Sequence, residues 1–534
     1  MFPQSLTPVA GAVLPSVVVA ALPIVTVLAM LGALRRPAWQ ASLAGLFVGL
    51  VVAIGPWHFP PGLTLRAVAN GAVFAVWPLL WIVFAALLLY NISVKSGQFD
   101  ALKDWIVTSL PRDRRVVLIV IGFCFSALLE GVAGFGTPVA IASSMLIMIG
   151  FPPLDAVAYS LMFNTAPVAF AALGVPITVL SAVTHLPSQA LAAMVGRQLP
   201  VLALLLPFYV TAVYGGVRSV RAVWPVLAVA GASFAVMQFL CSNFLTYPLT
   251  DVLSSLTSTG MTLLLLRWWQ PIPDPQFALG DPGIPETRSP GSSLWRACSP
   301  WVIVSATVAI WTTMRVFTVG EAQIAWPGLH NAVSITLYNN APYAAIWDFQ
   351  PLGAGTAIML AAVITGLVGR VPASDFVRCA ALTWHQIRFA ALTIVSIVGL
   401  AYLMNYSGLT YTLGLGLASV GPLFVLVSPF LGWIAVLLSG SDTAGNALFG
   451  NLQVVAAHQL NLNPILLAAT NSSGGVLGKM VSPQNLATGI SLTRLEGQEG
   501  VVLARTFLHS IVLTALLGAL VALQQYVIPW IIPQ

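Results

Sequence analysis

EGVAGFGTP, from Glu130 to Pro138, sets an acid, three glycines and a proline inside a stretch, Val116 to Phe151, that is otherwise apolar or uncharged. About 20 apolar residues cross a hydrocarbon core as a helix, and this stretch is long enough to do so. Its glycines and proline interrupt the helix midway. Three other stretches share the pattern: NTAPVAFAALGVP (Asn164 to Pro176), SGSDTAGN (Ser439 to Asn446) and NSSGGVLGKMVSP (Asn471 to Pro483). Non-helical backbone at membrane depth survives only where protein or a water-filled cavity satisfies its freed N–H and C=O groups. Four such interruptions predict a polytopic all-α membrane protein with a binding site built from broken helices or re-entrant hairpins.

Composition points the same way. Of 534 residues 58% are hydrophobic and 7% charged, too little polar surface to coat a water-soluble globule of this size. Apolar segments recur from Val9 to Leu34 through 506 to 529 with no long polar block, so no sizeable soluble domain is expected. The net charge of +6 comes from Lys and Arg at segment ends, a marker of cytoplasmic loops rather than a nucleic-acid footprint. The first segment is too long for a signal-peptide core and is followed by Arg35 and Arg36, which place the N-terminus outside. Cys124, Cys241, Cys298 and Cys379 show no disulfide or metal-site spacing, and no metal or cofactor is expected.

Basic clusters at 35 to 36, 95 to 115, 218 to 221, 267 to 296, 370 to 388 and 494 to 505 give about twelve net crossings with both termini outside. The segment from Glu321 to Gln350, without Lys or Arg, falls on the outer face. The proline-rich region 268–297 reads as a flexible cytoplasmic linker between two halves. Those halves repeat. Ser96-Gly97 and Pro111 recur as Ser407-Gly408 and Pro422 at an offset of 311; LLEG at 128 recurs as LLSG at 437; Asn164 and Pro176 recur as Asn471 and Pro483 at 307. Five basic residues lie between Lys95 and Arg115 and none between Met404 and Pro422, so the two copies start on opposite sides. The expectation is an inverted-topology repeat, residues about 66–186 and 378–494, within a single transmembrane unit.

Full charges inside the interrupted regions are few: Glu130 in the first, Asp442 and Lys479 in the second. Each costs about 2.5–3.5 kcal/mol at the centre of a span on insertion scales, which marks them as candidates for function. Lys479 is the candidate anchor for an anionic substrate, and Asp442, the acid of the same interrupted region, its candidate anionic neighbour. Asp442 and Glu130 are the candidate proton sites. Asn164, Thr165, Asn471 and Ser472 offer neutral donors and acceptors, and equally suit caps on broken helices. Gly134, Gly136 and Ser441 sit where half-helix N-termini would present backbone N–H groups to a carboxylate. His185, His458 and Arg388 have ready structural explanations near segment ends or in the core.

These segments resemble those of the lactate permease family, whose members carry EGxAGFGxP, an NTAPVAFG-type stretch ending in G-x-P, GSDT-x-x-N and GKM-x-SPQ. Here they stand as Glu130 to Pro138, Asn164 to Pro176, Gly440 to Asn446 and Gly478 to Gln484. The resemblance implies proton-coupled uptake of lactate or glycolate across a bacterial inner membrane, by a transporter and not an enzyme. Ala171, where glycine is expected, and Ala444-Gly445 depart from the pattern at positions that set pocket size and polarity. The family is also similar to the ion transporter superfamily, in which paired hairpins move against a scaffold. Competing readings are a sodium-coupled carboxylate transporter, an intramembrane aspartyl hydrolase using Asp442 and Glu130, and a channel. Lys479 and the paired repeats argue against the hydrolase, and nothing resembles a pore filter.

Overall fold

The computed structural model describes every residue except Arg35, Ala133, Phe135, Gly136, 280–293, 491–498 and Gln534. Helices carry almost all of it, because a helix satisfies its own backbone polar groups where water is absent. The first half opens with α1 (Val13–Gly32) and α2 (Ala38–Ile54), packed as a pair. α3 (Pro61–Phe74) and α4 (Trp81–Lys95) are two parts of one 35-residue run deflected at Trp77. After α5 (Gln98–Ser109), the short α6 (Arg114–Val117) continues through the π-helical stretch Leu118–Phe125 into α7 (Ser126–Val132). Then come α8 (Thr137–Met148), α9 (Pro153–Phe163) and α10 (Ala171–Thr184).

α11 (Ser188–Phe244) has 57 residues, about 85 Å if straight and far more than a bilayer needs. Its backbone leaves helical values at Gly216 and Val223, beside Arg218 and Arg221, which divides it into two segments. α12 (Thr250–Leu265) packs back along it. The second half holds α13 (Leu294–Thr313), α14 (Ala354–Val368), α15 (Ala373–Ser407) and α16 (Leu409–Ala418). It closes with α17 (Phe424–Ser439), α18 (Asp442–Gln459), α19 (Pro464–Lys479), α20 (Pro483–Ile490) and α21 (Glu499–Tyr526).

Among the described residues seven helices are long and apolar enough to cross a membrane, or eight counting the bent pair Pro153–Phe163 and Val168–Thr184. The sequence reading expects about twelve net crossings. α2, α14 and α16 are apolar but shorter than a full span, and the interrupted regions contribute half-helices, so length alone does not count them. The Arg114–Val132 run is wholly buried, whereas α1 turns Leu14, Val18, Leu22 and Val25 outward. An apolar outer surface around a buried central helix suits a protein with lipid at its periphery.

Two features depart from an all-helical reading. The segment from Glu321 to Gln350 folds as short strands, with β2 (Ala322–Ala325) antiparallel to β5 (Ile346–Phe349). β1 (Phe2–Pro3) pairs in parallel with β3 (Val333–Ile335), which tethers the N-terminus to this cap, and β4 (Ala341–Pro342) completes that sheet. The region expected as a flexible linker is docked over its described part. Arg114 N donates to Phe277 O, Leu279 N to Arg112 O, and the Arg115 guanidinium stacks 4.6 Å above the Phe277 ring. Residues 280–293 of that linker lie outside the described residues.

Helices α17 and α19 touch backbone to backbone. A Cβ on Gly432 would collide with the Asn471 carbonyl, one on Gly474 with that of Pro429, and one on Gly478 with that of Trp433. This contact has no room for a side chain, and it holds the end of α19, with Lys479, against the end of α17.

Candidate functional site

Two breaks meet at the centre of the protein. α17 ends at Gly440, whose φ of +70° is a left-handed value that favours glycine, and the chain restarts at once as α18. Ser441 caps α18, its hydroxyl accepting from Ala444 N, which leaves the first turn from Asp442 facing the break. In the other half, α9 ends at Asn164 and α10 begins through three residues with positive φ, Ala172, Leu173 and Gly174. The NSSGGVLGKMVSP stretch differs from expectation. Asn471 to Lys479 is continuous helix, and the interruption falls at Met480 to Ser482, before α20.

Between the breaks lies a small cavity. Glu130, Gly134, Ser441, Asp442 and Lys479 line it on the polar side; Val168, Ala171, Ala172, Val175 and Pro176 form an apolar wall. Among the described residues Lys479 is its one cationic side chain, and it is 5% exposed. Its Nζ lies 2.5 Å from Glu130 Oε1, and Asn164 Nδ2 donates to the other carboxylate oxygen at 2.9 Å. The expectation that Asp442 partners Lys479 is therefore corrected. The ammonium pairs with an acid from the opposite half of the chain, 349 residues away.

Asp442 is held differently. Ser472 Oγ donates to Oδ2 at 2.6 Å and Asn446 Nδ2 at 3.3 Å, while Oδ1 has no hydrogen-bond partner among the described residues. Behind it, Asn446 also donates to Pro176 O, Asn471 Nδ2 donates to Asn446 Oδ1, and Gln453 donates to Asn471 Oδ1. This buried chain ties the α18 break to the α10 break. A buried polar network is sturdy only when its members are satisfied, and this one fixes the orientation of the Asp442 carboxyl.

The structure thus places Lys479, Glu130, Asp442, Ser441 and Gly134 on the cavity wall. Asn164, Thr165, Asn471 and Ser472 stand one layer back: Asn164 holds Glu130, Ser472 holds Asp442, Asn471 holds Asn446, and Thr165 Oγ1 donates to Met162 O. Gly136 lies outside the described residues. Sequence reasoning missed Gln484 and the apolar wall, whose residue types carry no signal of their own. It did flag Ala171, and the methyl group of Ala171 is part of that wall.

A second cavity, about 560 Å³, shares Ser441, Thr443 and Gln484 with the first and extends to Leu31, Ala38 and Thr393. A third, about 1130 Å³, lies beneath the strand cap among Thr178, His185, Tyr247, Asp348 and Tyr402. It shares no lining residue with the first. The Tyr247 ring packs against Gly174, and its hydroxyl lies 3.1 Å from Thr178 Oγ1.

The comparisons with known proteins agree with this picture. Residues 16–528 match the L-lactate permease family. The chain is similar to the L-lactate permease of Bacillus subtilis, 38% identical with 99% of each protein covered, and to the glycolate permease GlcA of Escherichia coli, 38% identical with 96% of each covered. These relatives are permeases, not enzymes. Among solved structures it is similar in fold to the MtrF transporter of Neisseria gonorrhoeae, with a TM-score of 0.51 and 12% identity over 94% of this chain and 97% of that one. A match over nearly the whole length at this identity settles the relationship: the chain is a multi-pass membrane protein that belongs to the L-lactate permease family.

Proposed function

We propose that the protein is a secondary transporter that takes up small 2-hydroxy monocarboxylates, lactate and glycolate, together with protons across the bacterial inner membrane. The observation that carries this reading is the Lys479–Glu130 pair on the wall of a small cavity. A substrate carboxylate competes with Glu130 for the ammonium, and the N-terminal turn of α18 at Ser441 to Thr443 offers backbone N–H groups to the same anion. When the substrate takes Lys479, the Glu130 carboxylate loses its counter-ion in a buried site. Taking up a proton removes that uncompensated charge, and substrate and proton then travel together. Of the two candidate proton sites, Glu130 rather than Asp442 takes the coupling proton, because Glu130 is the acid that the substrate displaces.

A site with one cation and an apolar wall suits one carboxylate on a short chain. Lactate, glycolate and other short 2-hydroxy monocarboxylates are expected to inhibit one another's uptake in proteoliposomes, with succinate and citrate poor competitors. Preferential inhibition by a dicarboxylate overturns the substrate class. Accumulation driven by an imposed sodium gradient, with no response to pH, overturns the proton.

The reading extends to topology. Helix, break, helix, turn, helix, break, helix is the order of elements through residues 126–184 and again through 424–490, which supports two repeats; the basic residues between Lys95 and Arg115, with none between Met404 and Pro422, favour opposite orientations with both termini outside. In a cysteine-free background, Ser109→Cys and Val420→Cys, both at exposed positions, should react with a membrane-impermeant maleimide from opposite sides of the membrane. Labelling from one side alone for both would rule out inverted repeats. The second cavity runs from the site toward Leu31 and Ala38, beside the expected cytoplasmic loop, while the cavity under the strand cap shares no lining residue with the site, so we assign this conformation as inward-facing.

A further inference from the structure

Asp251, on the first turn of α12, is 0% exposed, and neither carboxyl oxygen has a hydrogen-bond partner among the described residues. It abuts the helix that carries Glu130. A Cβ placed on Gly131 would come within 2.7 Å of the Asp251 Cβ, so the glycine next to Glu130 is what allows this close approach. Asp251 lies within electrostatic reach of both Glu130 and Lys479, and of the Cys241 thiol on α11. The other ionisable groups on the elements packed around α12 are Cys124 on the run that carries Glu130, Tyr247 before the helix, Arg197, Tyr209, Tyr214, Arg218 and Arg221 on α11, and Arg296 and Cys298 on α13.

Among the described residues no cation is bonded to Asp251, and Lys479 spends its contact on Glu130. An ionised carboxyl with no donor and no counter-ion in a water-excluded site is far costlier than the neutral acid. The rest of that face of α12 is hydroxylated and buried: Ser254, Ser255, Ser258 and Thr262 follow Asp251 at helical spacing. Ser258 Oγ lies 3.2 Å from Cys124 Sγ, on the Glu130 helix. The polar strip therefore faces the element that holds the substrate's competitor.

The geometry points to Asp251 as a second proton site of the carrier, exchanging a proton with Glu130 across the Gly131 contact whenever the Glu130–Lys479 pair opens. This rests on the proposed transport reading and extends it. The transfer is balanced: the Asp251 acid gives its proton to the Glu130 carboxylate, leaving an Asp251 carboxylate and a neutral Glu130. A proton entering with the substrate then reprotonates Asp251, and when Lys479 recaptures Glu130 on the other side the Glu130 proton is released there. One proton thus crosses with each substrate, and no other reactant is consumed.

Asp251→Asn keeps the shape and holds the group permanently neutral. In proteoliposomes it should retain exchange of internal for external labelled lactate, which needs no net proton movement, and lose accumulation driven by a pH gradient. Asp251→Glu, which restores an ionisable group, should recover part of that accumulation. Wild-type accumulation in Asp251→Asn would overturn the proposal while leaving the transport reading intact. Wild-type vesicles that neither exchange lactate nor respond to pH would take down both. Sodium-driven accumulation that disappears in Asp251→Asn would place a cation at Asp251 and overturn the proton assignment. If the Asn variant fails to fold, dicyclohexylcarbodiimide, which modifies protonated carboxyls in apolar surroundings, decides on the wild-type protein: peptide mapping should find the adduct on Asp251 at neutral pH, and its absence there sinks the idea.

Discussion

Lys479→Ala should abolish saturable lactate uptake and exchange alike, because it removes the cation that receives the substrate carboxylate. Truncating one partner of a buried, hydrogen-bonded charge pair costs about 2–5 kcal/mol of binding, or roughly 30- to 5,000-fold in affinity. The same substitution leaves Glu130 without its counter-ion in a site that is 0% exposed on the acid's side. Unless Glu130 takes up a proton, the folded protein loses about 3–5 kcal/mol for an orphaned buried charge. The two effects separate in the double variant. Lys479→Ala with Glu130→Gln removes both charges, so thermal stability in detergent should recover toward wild type while uptake stays absent. Uptake within a few-fold of wild type in Lys479→Ala would remove Lys479 from the substrate site. A stability loss as large in the double variant as in the single would show that the pair is not what the substitution disturbs.

Rarity of charge made Glu130, Asp442 and Lys479 legible in the sequence, since each stands alone in a long uncharged stretch. Their pairing was not legible. Chain distance favours Asp442 as the partner of Lys479, but the first turn of α18 turns its carboxyl toward Ser472 and Asn446, and Glu130 arrives from the other half of the chain. Asn471 and Ser472 drew attention as polar groups beside glycines, a pattern shared by ligand contacts and by residues that hold other side chains. Only the packing of α18 against α19 distinguishes these roles. Asp251 is the sole acid between Asp155 and Asp274. It opens an apolar segment, where an acid reads as the solvated end of a span, and its burial follows from the close contact at Gly131. The strands of the Glu321 to Gln350 cap were hidden because each is at most four residues long, too short to show alternation.

Glu130→Gln should keep lactate exchange and lose pH-driven accumulation, and the reason lies in which carrier states each assay visits. Exchange cycles only the loaded carrier, in which Lys479 is already neutralised by substrate. Net accumulation also requires the empty carrier to return, and in wild type the empty site is neutral because Glu130 reoccupies Lys479. A glutamine there still accepts a hydrogen bond from the ammonium through its amide oxygen, and its NH2 group can donate to Asn164 once that amide flips, but it brings no charge. The empty site then holds an unpaired buried cation, a state several kcal/mol above the paired one. Return of the empty carrier slows accordingly, and apparent substrate affinity rises, because the substrate becomes the one anion that relieves Lys479. Asp442→Asn serves as the control. Asp442 accepts from Ser472 and does not bond Lys479, so its substitution should alter affinity more than coupling. The reversed result, coupling lost in Asp442→Asn and kept in Glu130→Gln, would return the coupling proton to Asp442 and reduce the Glu130–Lys479 pair to holding the two halves of the chain together.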